Sequence, residues 1–317
     1  MADVSIIITT ENSAENIDAL LLSLFVQSVQ TTEIILVDNA STDDTLKLLD
    51  RYKKFDKRVQ VIKKKTKTAT EKLIKSGVKR ASAPYIYIMD GTKFMYIGQG
   101  CLQRLLDNIR KYGSDFVYAP CGVINALTFE TLPMYQIQPE KFVQQPVFKA
   151  EDIPSDMLFR MYLSPYGKLF NAEFLRKCAF APANEAFFLD CLFKAQKISF
   201  DLHNTCVCHV LPQNLWRPHN LAEQRENLKI LKKYHAFERY KNAYIYHKMR
   251  AAWLGIMQAP SAERQTMFTA MKEAFADEDF SKYDFNVLRT QDLYWAVQNA
   301  LKLSWDEFAE TYIGRAA

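Results

Sequence analysis

Pro84-Tyr85-Ile86-Tyr87-Ile88-Met89-Asp90-Gly91-Thr92-Lys93 is the stretch around which the chain is read. Tyr85 to Met89 are aromatic, β-branched or apolar, introduced by a proline and stopped by Asp-Gly. That is the pattern of a strand buried on both faces and ended by a turn. Ligands of open α/β sheets gather beyond the carboxyl ends of such strands, so Asp90 is delivered to the ligand edge. An acid there either supplies a metal or sugar ligand or simply caps the turn.

Upstream, Val4 to Thr9 reads as a first buried strand. Asn12 or Ser13 is placed to cap a helix whose apolar face is Ile17, Leu20, Leu21, Leu24 and Phe25. Glu33 to Val37 predicts a second strand, ending in Asp38-Asn39-Ala40-Ser41-Thr42-Asp43-Asp44. Ser41 and Asp44 have capping-box spacing, with Leu46, Leu49 and Tyr52 on the inner face of the helix that follows. Val59 to Ile62 makes a third strand, and Thr70 to Ala81 a helix leading into the stretch quoted above. Strand and helix alternating in this way means βαβ units and a mostly parallel sheet.

Downstream, Leu102, Leu105, Leu106 and Ile109 predict a helix stopped by Gly113, and Asp115 to Ala119 a strand. Pro139, Pro146 and Pro154 break the pattern from about 136 to 164 into loops and short helices. Leu169 to Arg176 and Phe187 to Lys197 are expected to be helical, Ile198 to Val210 strand-like, and the chain from Asn220 onward helical. The expected division is a nucleotide-sugar-binding domain over 1–212 and a helical region over 213–317, with the soft boundary near Pro212 to Pro218.

The 317 residues are 49% hydrophobic and 24% charged, as in an ordinary soluble protein. A net charge of +5 is too mild to argue for a nucleic-acid partner. No apolar run approaches the roughly 20 residues a spanning helix requires. The N-terminus lacks a secretory pattern and the six cysteines are scattered, so a cytoplasmic protein is expected. Nine glycines, with no Gly-x-Gly-x-x-Gly after the first strand, exclude a dinucleotide loop.

Three segments resemble the family 2 inverting glycosyltransferases of GT-A fold: Val4 to Asn12, Glu33 to Asp43, and Tyr85 to Asp90. A further match runs through Tyr166-Gly167-Lys168-Leu169-Phe170, a segment found in bacterial members that build surface polysaccharides. The resemblance implies transfer of a sugar, with inversion, from a nucleotide-sugar to a glycan or lipid-linked acceptor. It places the nucleotide at Thr9, Glu11, Asp38 and Asn39, and a divalent metal, Mn2+ or Mg2+, at Asp90. An inverting transfer also needs a general base for the acceptor hydroxyl.

This sequence departs from the family pattern at each function. Asn39 stands where the base-contacting pair has its second aspartate; its amide still accepts a hydrogen bond, but without charge. Thr9, Thr10 and Glu11 replace the commoner Pro-Val-Tyr. Asp90-Gly91-Thr92-Lys93 stands where the family has Asp-Ser-Asp-Asp. Either Lys93 approaches the diphosphate and replaces the metal's charge, or the metal site has decayed. Matching the helix at Phe187 to Ile198 lays Ala183-Asn184 over the family's Glu-Asp. Asn184 cannot take a proton, and Glu185, one residue on, either serves as base or caps the helix. A catalytically silent family member that binds a nucleotide, a glycan or an active transferase is the alternative reading.

Cys206, Cys208 and His209 lack the second ligand pair of a zinc site and read as strand residues. His219 lies in a loop beyond Trp216-Arg217-Pro218, and Lys63-Lys64-Lys65 with Lys67 forms a basic run near the ligand edge. Leu228, Leu231, Tyr234 and Phe237 form a helical stripe in the C-terminal region, which either packs on itself or offers an acceptor, partner or peripheral membrane surface.

Overall fold

The computed structural model describes residues 2–314 except 30, 93, 120, 126–144, 162, 183, 202–205, 211–220 and 286–290. The chain divides into two compact units, Met1–Ile153 with Met161–Leu211, and Pro154–Arg160 with Pro212–Ala317.

In the first unit, β1 (Val4–Thr10), β2 (Thr32–Asp38), β3 (Val59–Lys63) and β4 (Tyr85–Asp90) run parallel. They are joined through α1 (Ile17–Phe25), α2 (Thr45–Phe55) and α3 (Thr70–Arg80). Every residue of β1 and β2 is buried, as unbroken apolar runs demand of strands covered on both faces. Burying each Ile or Leu there stabilises the fold by about 1.5–3 kcal/mol. Gly77 lets α3 settle on the sheet, since a Cβ there would come within 2.5 Å of Ile7 Cγ2.

The chain winds outward from β1 to β3, then returns to place β4 on the other side of β1. The order reverses between β1 and β4, which is where a crevice opens at the carboxyl edge. The sheet continues through β9 (Leu169–Asn171), β6 (Phe116–Tyr118), β10 (Ile198–Phe200) and β8 (Val147–Phe148), giving eight strands in the order β3-β2-β1-β4-β9-β6-β10-β8. A second sheet sets β11 (Cys206–Val210) between β5 (Phe94–Ile97) and β7 (Cys121–Asn125). The expected α/β sheet is therefore present, flanked by α4 (Cys101–Tyr112), α5 (Ala172–Lys177) and α6 (Asn184–Lys194) as well as α1 to α3.

The second unit is helical: α7 (Leu221–Lys233), α8 (Phe237–Gln258), α9 (Ser261–Phe275), α10 (Gln291–Ala300) and α11 (Trp305–Phe308). Ile245, Met249, Ile256, Phe268, Met271 and Phe308 lie in its core. Among the described residues no helix is long and apolar enough to cross a membrane.

Several local expectations are corrected. Helix α1 begins at Ile17, and neither Asn12 nor Ser13 caps it; Asn12 takes a left-handed φ of 46° and bonds the loop after β2 instead. The Ser41 capping box does not form, because the Ser41 hydroxyl is held by the stronger acceptor Asp38. Leu169–Asn171 is a strand, not helix, since Leu169 and Phe170 are buried between β4 and β6 and Asn171 caps α5. The buried face of α7 carries Gln224, Asn227 and Leu231, with Leu228 only partly covered. The residues 154–160, sequentially inside the first unit, belong to the second.

Candidate active site

Parallel pairing sets Thr9 opposite Asp90 and Thr10 opposite Asp38, so the strand ends bring the sequence-predicted residues side by side. Asp38 is fully buried and accepts hydrogen bonds from Thr10 Oγ1 at 3.2 Å, Ser41 N at 3.0 Å and Ser41 Oγ at 2.5 Å. Ser41 Oγ in turn accepts from the Asn12 backbone N–H at 3.0 Å. Asp38 thus ties the loop after β2 to the loop after β1. This set of bonds holds Asn12 and Ala40 at positive φ, a conformation that residues with a Cβ otherwise disfavour.

Asn39 faces a different set of partners. Its Oδ1 accepts from the Thr68 N–H at 2.8 Å, and its Nδ2 donates to the Thr68 carbonyl at 3.1 Å and to Glu11 Oε2 at 2.6 Å. Glu11 Oε1 pairs with Lys67 Nζ at 2.6 Å. Glu11, Asn39, Lys67 and Thr68 therefore form one polar wall at the ends of β1, β2 and the segment after β3. An aspartate at position 39 could accept but not donate, so the amide is what this wall requires.

Asp90 is 6% exposed, and its Oδ1 accepts from the Thr92 N–H at 3.0 Å and the Thr92 hydroxyl at 2.6 Å. Gly91 N–H donates to the Thr9 carbonyl at 2.8 Å. A Cβ on Gly91 would lie 2.9 Å from that oxygen and from Thr10 Cγ2, so only glycine lets the turn lie this close to β1. Lys93 lies outside the described residues.

Tyr166 joins this centre to α6. Its side chain is buried, with the hydroxyl near the Thr9 and Asn184 side chains and within electrostatic range of the Asp90 carboxyl. Burial, and then the Asp90 charge, push its phenol well above the usual tyrosine range, against the opposing pull of Thr9 and Asn184. The group is therefore a neutral hydroxyl at any working pH. Asn184 Oδ1 is buried and makes no hydrogen bond among the described residues. Asn184 opens α6 near the Tyr166 hydroxyl, and Glu185 follows it in the first turn, half-buried. Lys168, two residues past Tyr166, is fully buried with its ammonium 4.8 Å from the ring centres of both Tyr118 and Phe188.

Among the described residues no group of three or more His, Cys, Asp or Glu side chains is placed to hold a metal ion. A divalent cation takes about six oxygen ligands. Asp90 offers one carboxylate, already bonded to Thr92, so the described side chains do not by themselves fit such an ion. Cys206, Cys208 and His209 are strand residues of β11, and His219 lies outside the described residues.

Sequence reading did not single out Thr68, saw Lys67 only as part of a basic run near the ligand edge, and quoted Tyr166 without a role. Thr68 and Lys67 enter through the tertiary return of the chain after β3. Tyr166 stood in a quoted segment, but its place near Thr9 depends on β9 pairing with β4, with the Gly167 N–H donating to Ile88 O at 2.9 Å.

A mostly parallel eight-stranded sheet flanked by helices, with polar residues on the ends of β1, β2 and β4, is the α/β architecture shared by glycosyltransferases of GT-A fold. Residues 5–178, more than half of the chain, match the model of Glycosyl transferase family 2, and the chain belongs to that family. It is 27% identical over 291 residues to the poly(ribitol-phosphate) beta-glucosyltransferase of Bacillus spizizenii, covering 79% of this chain and 43% of that relative. It is 26% identical over 131 residues to the poly(ribitol-phosphate) beta-N-acetylglucosaminyltransferase TarP of Staphylococcus aureus, covering 39% of this chain and 38% of TarP. The chain thus spans less than half the length of either relative. In three dimensions it resembles S. aureus TarS 1-349 in complex with UDP-GlcNAc, with a TM-score of 0.67 at 16% identity over 97% of this chain and 89% of that one.

Proposed function

We propose that the chain transfers a sugar, with inversion, from a uridine diphosphate sugar to a growing surface glycan, acting in the cytoplasm on a glycan or lipid-linked acceptor. The observation that carries this reading is the meeting of Thr9, Asp38 and Asp90 at the β1–β4 switch point. The uridine donor is taken from the nucleotide sugar named with the TarS structure, and the glycan acceptor from the poly(ribitol-phosphate) relatives. In this reading the Glu11–Asn39–Thr68 wall flanks the base, and Asp38 holds the loops that enclose it. Asp90 orders the Thr92 turn at the diphosphate end, and Tyr166 links that end to α6. Lys93 offsets charge on the departing diphosphate. Glu185 takes the proton of the attacking hydroxyl, because its neighbour Asn184 cannot.

Purified protein incubated with a panel of nucleotide-sugars and an acceptor glycan should release nucleoside diphosphate from at least one donor. Asp90→Ala and Glu185→Gln should each remove that release. The substitutions at Asn39, Thr92 and Asn184 favour a second reading, a silent binding subunit. Nucleotide binding by the wild type with no turnover of any donor would establish it in place of the first.

A further inference from the structure

The face made by the ends of α1 and α2 has no role in the chemistry above, yet it is built unlike the rest of the first unit. Phe55, Val26 and Leu22 are 82%, 67% and 57% exposed, and among the described residues the one other large apolar side chain left so open, Trp295 at 59%, belongs to the second unit. Leu22 and Val26 lie one turn apart, and Phe55 lies one turn beyond Tyr52. The two helix ends are held together by Phe25 against Tyr52, with ring centres 5.8 Å apart, and by Arg51 bridging to Asp18 at 3.2 Å. The three exposed side chains therefore belong to one surface.

That surface is rimmed by cations. Arg51-Tyr52-Lys53-Lys54-Phe55-Asp56-Lys57-Arg58 carries five positive side chains and one carboxylate. Asp56 is taken by Arg58 at 2.8 Å. Lys53, Lys54 and Lys57 are exposed and make no ion pair among the described residues. The ordinary explanation of Lys53 and Lys54 is that cations favour a helix C-terminus. It accounts neither for Lys57 nor for a phenylalanine left almost wholly in water between them.

We propose that this face is a peripheral docking surface for an anionic phospholipid bilayer. Exposed aromatic and aliphatic side chains ringed by lysines match the boundary between acyl chains and negative headgroups. A soluble polyanion would satisfy the lysines but leave Phe55, Val26 and Leu22 in water. A second copy placed by a two-fold axis would set the lysines against their own copies, which disfavours it. Helices of βαβ units run back from the carboxyl edge of the sheet, so the docked face is at the edge opposite the crevice. Docking would leave the crevice turned to solvent, and donor turnover unaltered by changes at the face.

Co-sedimentation of the full chain with phosphatidylcholine vesicles, with and without phosphatidylglycerol, tests this. Binding is expected only with phosphatidylglycerol, and should fall as salt shortens the screening length from about 10 Å at 0.1 M to about 3 Å at 1 M. Lys53→Gln/Lys54→Gln should weaken it roughly 25-fold, about fivefold per charge. Phe55→Ala should weaken it roughly tenfold. Val26→Ser serves as a second apolar variant, and equal melting temperatures show that the fold is kept. No preference for the anionic vesicles overturns the proposal, as does wild-type binding by all these variants. A dimer in sedimentation velocity that Phe55→Ala disperses would overturn it in favour of a self-association surface.

Discussion

Asn39 and Thr68 grip each other as two halves of a ring, the Thr68 N–H donating to Oδ1 at 2.8 Å and Nδ2 donating to the Thr68 carbonyl at 3.1 Å. The side chain at the end of β2 thereby fixes the backbone that follows β3. Asn39→Asp restores the residue usual in the family, yet it removes the donor and sets two carboxylates together at Glu11. The variant should lose about 1–3 kcal/mol, the cost of leaving buried polar partners unpaired. Urea unfolding should show a lower midpoint with an unchanged slope. Wild-type stability would mean the amide is interchangeable.

Tyr166→Phe removes the hydroxyl near Thr9 and Asn184, within the field of Asp90, while keeping the buried ring. Donor turnover should fall roughly tenfold, equivalent to about 1.4 kcal/mol, with little change in donor KM. Because the phenol is held well above its ordinary value of 10.0, it stays protonated at working pH. The pH–rate curves of the two proteins should therefore have the same limbs. An altered alkaline limb in the variant would show that Tyr166 titrates after all.

Gly91→Ala inserts a Cβ at 2.9 Å from the Thr9 carbonyl and Thr10 Cγ2. The turn carrying Asp90 must move off β1. Overpacking of this kind costs about 1–3 kcal/mol. A lower melting temperature together with weaker uridine diphosphate binding is expected by calorimetry. Unchanged affinity would separate the turn from the donor site.

Glu33 sits at the opposite edge of the sheet, where burial raises its pKa and hydrogen bonds from Ser5, Ser82 and Ala83 outweigh that effect. The result lies below its ordinary value of 4.5. A depressed folded-state pKa contributes stability that is present above the unfolded value and lost as pH falls through the folded one. Glu33→Gln should therefore be less stable than wild type by about 1–3 kcal/mol near pH 7. The gap should close as both are unfolded at successively lower pH below 4.5. A gap constant with pH would assign the loss to packing.

Lys93→Ala tests the charge at the diphosphate. Two unit charges about 4 Å apart interact by about 4 kcal/mol at an effective dielectric of 20, before desolvation is subtracted. Uridine diphosphate affinity should fall at least roughly tenfold in the variant, and wild-type binding should survive excess chelator. Affinity that depends on manganese and ignores the substitution would return the charge to a metal.

The sequence by itself determined the βαβ rhythm, the buried strands and the edge on which Asp38 and Asp90 emerge. A parallel strand covered on both faces must be an unbroken apolar run, and such runs are visible without coordinates. The resemblance to the family likewise lay in motif residues, Val4 to Asn12, Glu33 to Asp43 and Tyr85 to Asp90. Tertiary structure alone decided what each polar side chain does there. Ser41 looks like a cap but serves Asp38, and Asn39 looks like a weakened base contact but clasps Thr68. The short strand Leu169–Asn171 reads as helix until β4 and β6 are found on either side of it. Three residues are too few for a period to show, so their conformation is set by the neighbours that accept their hydrogen bonds. Tyr166 comes to the end of β1, near Thr9, for the same reason, through a pairing between strands some eighty residues apart.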